Sequence, residues 1–230
     1  MLPNVTPRVK ICCISSLDEA RTAIGHGASA LGLVSAMPSG PGVIAEELIR
    51  EIARMTPPPI ATFLLTSSQN ADEIIDQQRR CHTNTLQLVD RLTSGSYQDL
   101  RRALPGIGLV QVVHVTGEAS VEEALALALH VDALLLDSGN PTLPVKELGG
   151  TGRTHDWSLS RRICAQAGVP VFLAGGLKPE NVAEAVRHVR PFGLDLCSGV
   201  RTDGRLDADK LTRFFVQLHD GARLSPPASS

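Results

Sequence analysis

The feature that most constrains this sequence is a repeat of pattern rather than of letters. Short apolar runs of β-forming residues alternate with amphipathic stretches of helical period from Arg8 to Leu218, with turns rich in glycine and proline between them. The first unit shows the form. Arg8 to Ile14 (RVKICCI) is a β-former run, and Ser16 with Glu19 has the capping-box spacing that opens a helix. That helix ends near Gly25 and Gly27, and Ala30 to Val34 (ALGLV) is the next apolar run. Runs that are apolar throughout read as strands buried on both faces, and such strands belong to parallel sheets covered by helices.

The unit then recurs. Ile44 to Met55 places Ile44, Leu48, Ile52 and Met55 on one helical face, and Pro57-Pro58-Pro59 stops it. Further strands are expected at Ile60 to Leu65, Thr85 to Leu88, Leu109 to Val115, Ala133 to Leu136, Val169 to Leu173 and Leu194 to Cys197. Helices are expected at Ala71 to Cys81, Tyr97 to Leu104, Val121 to Leu129, Asp156 to Ala167, Pro179 to Val189 and Asp207 to Leu218. About eight βα units in one series, with no linker, argue for α/β class and a single-domain (β/α)8 TIM barrel over an open doubly wound sheet. The barrel domain is expected over 8–219, with flexible tails at 1–7 and 220–230.

Composition removes several classes of function. With 230 residues, 43% hydrophobic and 20% charged, the chain can bury one large core and is not disordered. A net charge of -2 offers no basic footprint for nucleic acid. No apolar run approaches the ~20 residues a membrane helix needs, and the opening MLPNVTPRVK lacks the apolar core of a secretory signal. Five cysteines in no metal-ligand spacing predict free thiols in a reducing cytoplasm, with no metal bound. The helices show no spare apolar stripe, which predicts a monomer.

A barrel gathers the C-terminal ends of its strands at one mouth, where active sites of this fold are built. Cys12, Asp137, the Ala174-Gly175-Gly176 turn and Cys197-Ser198-Gly199 are therefore expected to converge. Asp137 ends a buried run. A long aperiodic segment follows it and closes on Gly149, Gly150, Thr151, Gly152 and Arg153, a candidate catalytic loop with free backbone N–H groups and a fixed positive charge. Loops after strands seven and eight commonly hold phosphate, which assigns that role to Gly175, Gly176, Ser198 and Gly199. Cys12 reads either as a small buried hydrophobe or as a base whose thiolate Lys10, on the same strand face, would favour. Facing Asp137, such a thiolate would make a base and acid pair suited to isomerising a sugar phosphate by proton transfer.

Several longer segments stand in a telling order: Val9-Lys10-Ile11-Cys12, GASALGLV from Gly27, Leu86-Gln87-Leu88, LLLDS from Leu134, GGTGRTHDW from Gly149, LAGGLKPENV from Leu173, and SGV from Ser198. Along nearly its full length the chain resembles the phosphoribosylanthranilate isomerase family, (β/α)8 enzymes of tryptophan biosynthesis. The resemblance implies an Amadori rearrangement of a phosphoribosyl substrate, N-(5-phosphoribosyl)anthranilate, with Cys12 as general base and Asp137 as general acid. It also implies phosphate binding by Gly175, Gly176, Ser198 and Gly199, a mobile loop at 149–153, and no metal or organic cofactor.

The sequence also departs from that family. Where its members carry a Ser-Pro-Arg element whose arginine holds the anthranilate carboxylate, this chain reads Gly40-Pro41-Gly42. Cys13 stands for a glycine, Val89-Asp90 for His-Gly, Arg153 for a lysine, Cys197 for a serine and Arg201 for an acidic residue. Arg91 and Arg201 are candidates for the missing cation. The alternatives are a phosphoribosyl amine without that carboxylate, or a non-catalytic barrel that binds a phosphate ligand.

Overall fold

A computed structural model describes residues 6–139 and 156–223. Eight parallel strands, β1 (Arg8–Ile11), β2 (Ala30–Val34), β3 (Ala61–Thr66), β4 (Thr85–Leu88), β5 (Gly108–His114), β6 (Ala133–Asp137), β7 (Val171–Leu173) and β8 (Gly193–Leu196), pair in sequence order and close as a barrel, β8 against β1. The helices between and after them are α1 (Leu17–Gly25), α2 (Glu46–Met55), α3 (Ala71–Cys81), α4 (Tyr97–Ala103), α5 (Ala119–Ala128), α6 (Trp157–Gln166), α7 (Val182–Val189) and α8 (Ala208–Arg223). This is the (β/α)8 barrel the repeat predicts.

The strands read as continuous apolar runs because each of their faces meets a different core. Ile11, Leu31, Leu33, Leu64 and Leu86 point outward to the helices, while Ala30, Val34, Phe63, Leu65, Val110 and Val112 fill the interior. Alternation along each strand sorts the two sets. Inside the barrel Phe63 and Phe172 meet edge-to-face at 5.9 Å, and Phe172 meets Phe192 at 5.5 Å. Lys10, 0% exposed, lies with Nζ 5.3 Å from the Phe63 ring centroid and 2.8 Å from the Asp195 carboxylate. Register places the two residues side by side on β1 and β8.

Several local features differ from the sequence reading. The expected strand Arg8 to Ile14 ends at Ile11, because Cys13 adopts φ 61° and turns the chain although its neighbours remain apolar. The helix expected from Pro179 begins at Val182. Asn181 is spent on the preceding turn, accepting the Lys178 N–H at 2.9 Å and donating to the Gly176 carbonyl at 3.0 Å. A 3-10 turn (Ser198–Val200) and a hairpin of β9 (Arg201–Thr202) and β10 (Arg205–Leu206) follow β8, and α8 runs to Arg223, past residue 219. Ser16 caps α1 by accepting the Glu19 N–H at 3.1 Å, but the Glu19 carboxylate does not close the box on Ser16. It accepts the Ser15 N–H at 3.0 Å and is gripped by both terminal nitrogens of Arg201, at 2.9 and 3.0 Å.

Candidate active site

At the C-terminal ends of the strands a cavity opens to solvent, the place where active sites of this fold are built. Cys12, the first residue beyond β1, and Asp137, the last of β6, both line it. The structure thus brings the sequence-predicted base and acid to one pocket. Burial pushes the Asp137 carboxyl above the usual carboxylate range; the Ser138 N–H at 2.7 Å and the nearby His114 and Lys10 charges only partly offset it. A carboxyl raised in this way can hold a proton to donate.

Lys10 sits beneath the two. Burial alone would strip its proton, but the adjoining Asp195 carboxylate outweighs that and holds the ammonium charged, with a further contribution from Cys12. One buried positive charge therefore acts on both the thiol and the Asp137 carboxyl. The pairing with Asp195 is absent from the sequence reading, since 185 positions separate the partners.

Gly175, Gly176 and Ser198 line the same cavity from the turns after β7 and β8. Gly199 lies against the back of the first turn, where a Cβ would collide with the Leu177 carbonyl, so only glycine lets the two turns press together. Among the described residues the backbone N–H groups of Gly175, Gly176, Ser198 and Gly199 donate no hydrogen bond. Four free donors on adjoining turns suit an anion.

Much of the remaining wall is apolar, formed by Met37, Pro41, Leu65, Val89 and Val112, with Ser39, Asp195 and Gln87 among them. Gln87 is buried on β4, lines the cavity, and has a carbonyl oxygen without a hydrogen-bond partner among the described residues. The sequence carried a signal for it, a lone amide at an inward position of an otherwise apolar strand. Its role was not foreseen.

Neither arginine considered as a replacement cation reaches the cavity. Arg91 is exposed and pairs with Glu123 at 2.5 Å. Arg201 is buried beneath the mouth, where it holds Glu19 and donates to the carbonyls of Cys13 at 2.6 Å and Cys12 at 3.2 Å. It fixes the backbone of the cysteine pair and does not line the cavity. No lysine or arginine lines the cavity among the described residues. Gly42 has φ 82°, and a Cβ there would run into the Cβ of Cys13. The Cys13 side chain thus occupies the space in which a residue 42 side chain would begin. The candidate loop residues Gly149, Gly150, Thr151, Gly152 and Arg153 lie outside the described residues.

Comparison with known proteins gives a consistent result. The family model described as N-(5'phosphoribosyl)anthranilate (PRA) isomerase matches residues 9–217. The N-(5'-phosphoribosyl)anthranilate isomerase of Haloferax volcanii is 36% identical over 217 residues, which is 94% of this chain and 94% of that one. Among solved structures, phosphoribosyl anthranilate isomerase from Thermotoga maritima superposes with a TM-score of 0.77 at 31% identity, covering 93% of this chain and 99% of that one. A phosphoribosyl anthranilate isomerase in complex with reduced 1-(o-carboxyphenylamino)-1-deoxyribulose 5-phosphate superposes with a TM-score of 0.75 at 29% identity, again over 93% and 99%.

Proposed function

Since the chain belongs to the phosphoribosylanthranilate isomerase family, we propose a division of labour among its own residues for that family's reaction. The protein is a phosphoribosylanthranilate isomerase of tryptophan biosynthesis, catalysing the intramolecular rearrangement of N-(5'-phosphoribosyl)anthranilate to the 1-deoxyribulose 5-phosphate product. Asp137, its carboxyl pushed up by burial, gives its proton to the ribose ring oxygen, and the ring opens to a Schiff base. The Cys12 thiolate removes the C2 proton and leaves an enolamine. Protonation at C1 and loss of the 2-hydroxyl proton yield the aminoketose and restore both groups, so the reaction is proton-neutral. The free N–H groups after β7 and β8 hold the phosphate, and the 149–153 loop closes over the substrate.

The observation that carries this reading is that Cys12 and Asp137 line one cavity together with Gly175, Gly176 and Ser198, whose backbone N–H groups have no partner among the described residues. The test is turnover of N-(5'-phosphoribosyl)anthranilate by the parent, Cys12→Ser and Asp137→Asn. Loss of a positioned acid or base lowers kcat by about 10²–10⁴ with a smaller change in KM. Either variant retaining more than a tenth of parental kcat would remove that residue from the chemistry.

One specific observation favours a second reading of the aglycone end. With Gly42 in place of a side chain and no cation on the described wall, the anthranilate carboxylate is met by Arg153 of the loop or by no cation. An Arg153→Met variant with an unchanged KM would leave the second possibility, a substrate range extending to amines without the carboxylate.

The protein acts as a cytoplasmic monomer in this proposal. Its five cysteines are free, and no helix among the described residues is long and apolar enough to cross a membrane. Among the described residues the exposed large apolar side chains, Val43, Leu129, Phe192 and Val216, come from different segments of the chain. Size-exclusion chromatography with light scattering giving twice the 24.5 kDa chain mass would refute the monomer.

A further inference from the structure

Three of the five cysteines meet at the mouth of the cavity. Cys12 and Cys13 follow β1, Cys197 follows β8, and all three line the pocket. The Sγ atoms of Cys13 and Cys197 lie 2.9 Å apart, while 184 residues separate them in the chain. The two backbones are not free to drift. The Cys12 N–H donates to the Leu196 carbonyl at 2.7 Å, and Arg201 holds the Cys13 carbonyl at 2.6 Å. Contraction by about 0.9 Å, a side-chain rotation, brings the sulfurs to the ~2.05 Å of a covalent bond.

We propose that Cys13 and Cys197 form a reversible dithiol site inside the active-site mouth, closed to a disulfide by a small hydroperoxide. Cys197 is only partly buried and faces the open cavity, so it meets the oxidant first. Its thiol is pulled down by its contact with Cys13 and by the charge of Arg201, against the effect of burial, while Cys13 is pushed up by its contacts with Cys12 and Cys197. The thiolate is the attacking species. Cys197 attacks one peroxide oxygen, the O–O bond breaks, and a sulfenic acid forms as the other oxygen leaves protonated. The Cys13 sulfur then attacks the Cys197 sulfur, its thiol proton departs, and hydroxide leaves as water. Two thiols and one hydrogen peroxide give one disulfide and two waters, the thiols losing two electrons.

The bond bears on catalysis because Cys13 also contacts Cys12. Drawing the Cys13 sulfur toward Cys197 removes a neighbour of the catalytic thiol, so turnover falls as the link accumulates and returns on reduction. This effect rests on Cys12 being the base, but formation of the link does not, and the two are read separately.

The experiment treats the full-length protein with a modest excess of hydrogen peroxide and maps peptides without reduction. The expected result is a Cys13–Cys197 cross-linked peptide, a fall in free thiols from five to three, and reversal of both by dithiothreitol. Turnover followed in parallel should fall and recover with the link. Cross-links that use Cys12, or sulfinic and sulfonic acids with no Cys13–Cys197 link, would overturn the proposal. Cys13→Ser and Cys197→Ser should each abolish the dithiothreitol-reversible part of the inactivation; persistence in either would also overturn it. A link that forms without loss of turnover keeps the site and removes its control of Cys12.

Discussion

Asparagine at Asp195 isolates what the ion pair inside the barrel contributes. Lys10 is 0% exposed, its counter-charge is 2.8 Å away, and a phenyl ring lies near its ammonium. Neutralising the carboxylate strips a buried ammonium of its paired counter-charge, a change that costs about 3–5 kcal/mol. That is roughly two to four powers of ten in the folding equilibrium, against a total stability on the order of 5–15 kcal/mol for a domain. In urea, with m of about 1–3 kcal/mol/M, the midpoint for Asp195→Asn should fall by roughly 1–5 M at unchanged m. The loss should shrink as pH rises toward the ordinary lysine range, because the unfolded chain then binds a proton that folded Lys10 has shed. Adding Lys10→Met to Asp195→Asn removes the stranded charge at similar volume and should recover most of the loss. A single variant within about 1 kcal/mol of the parent, or a double variant less stable than the single, would refute this account.

Two further outcomes follow from the site. Burial raises Asp137 above its unfolded value, so its contribution to stability is complete below the unfolded pKa of about 4 and is lost as pH rises through the folded one. Asp137→Asn should therefore gain stability over the parent between pH 4 and 7 while losing turnover; a difference that is flat or reversed across urea titrations at the two pH values would contradict the raised carboxyl. Gly42→Ala places a Cβ against Cys13 in a left-handed backbone and should cost about 2–4 kcal/mol, of which Cys13→Gly in the same chain recovers all but the ~1 kcal/mol of backbone strain. No recovery would mean the clash is not with Cys13.

The barrel was legible because its strands are buried on both faces and so read as unbroken apolar runs such as ALGLV and LLLD, each followed by a helix with one apolar face. Cys12 and Asp137 were legible as strand-end residues, since the topology places all such ends together. What pattern could not supply was pairing across the chain. Lys10 with Asp195, Glu19 with Arg201 and Cys13 with Cys197 each join residues more than 180 positions apart. Arg201 reads as a candidate substrate cation because nothing nearby in sequence shows that it will pair with Glu19 of α1. β9 and β10, of two residues each, are too short to show any period.

All three of those long-range pairs bind the first βα unit to the last. A ring must be shut somewhere, and here the seam is stitched by charge and sulfur beside Cys12. A nascent chain with six units already carries both the thiol and the acid, yet lacks the arginine that shapes the backbone around Cys12. The backbone around Cys12 therefore takes its final shape only when the last segment closes the barrel.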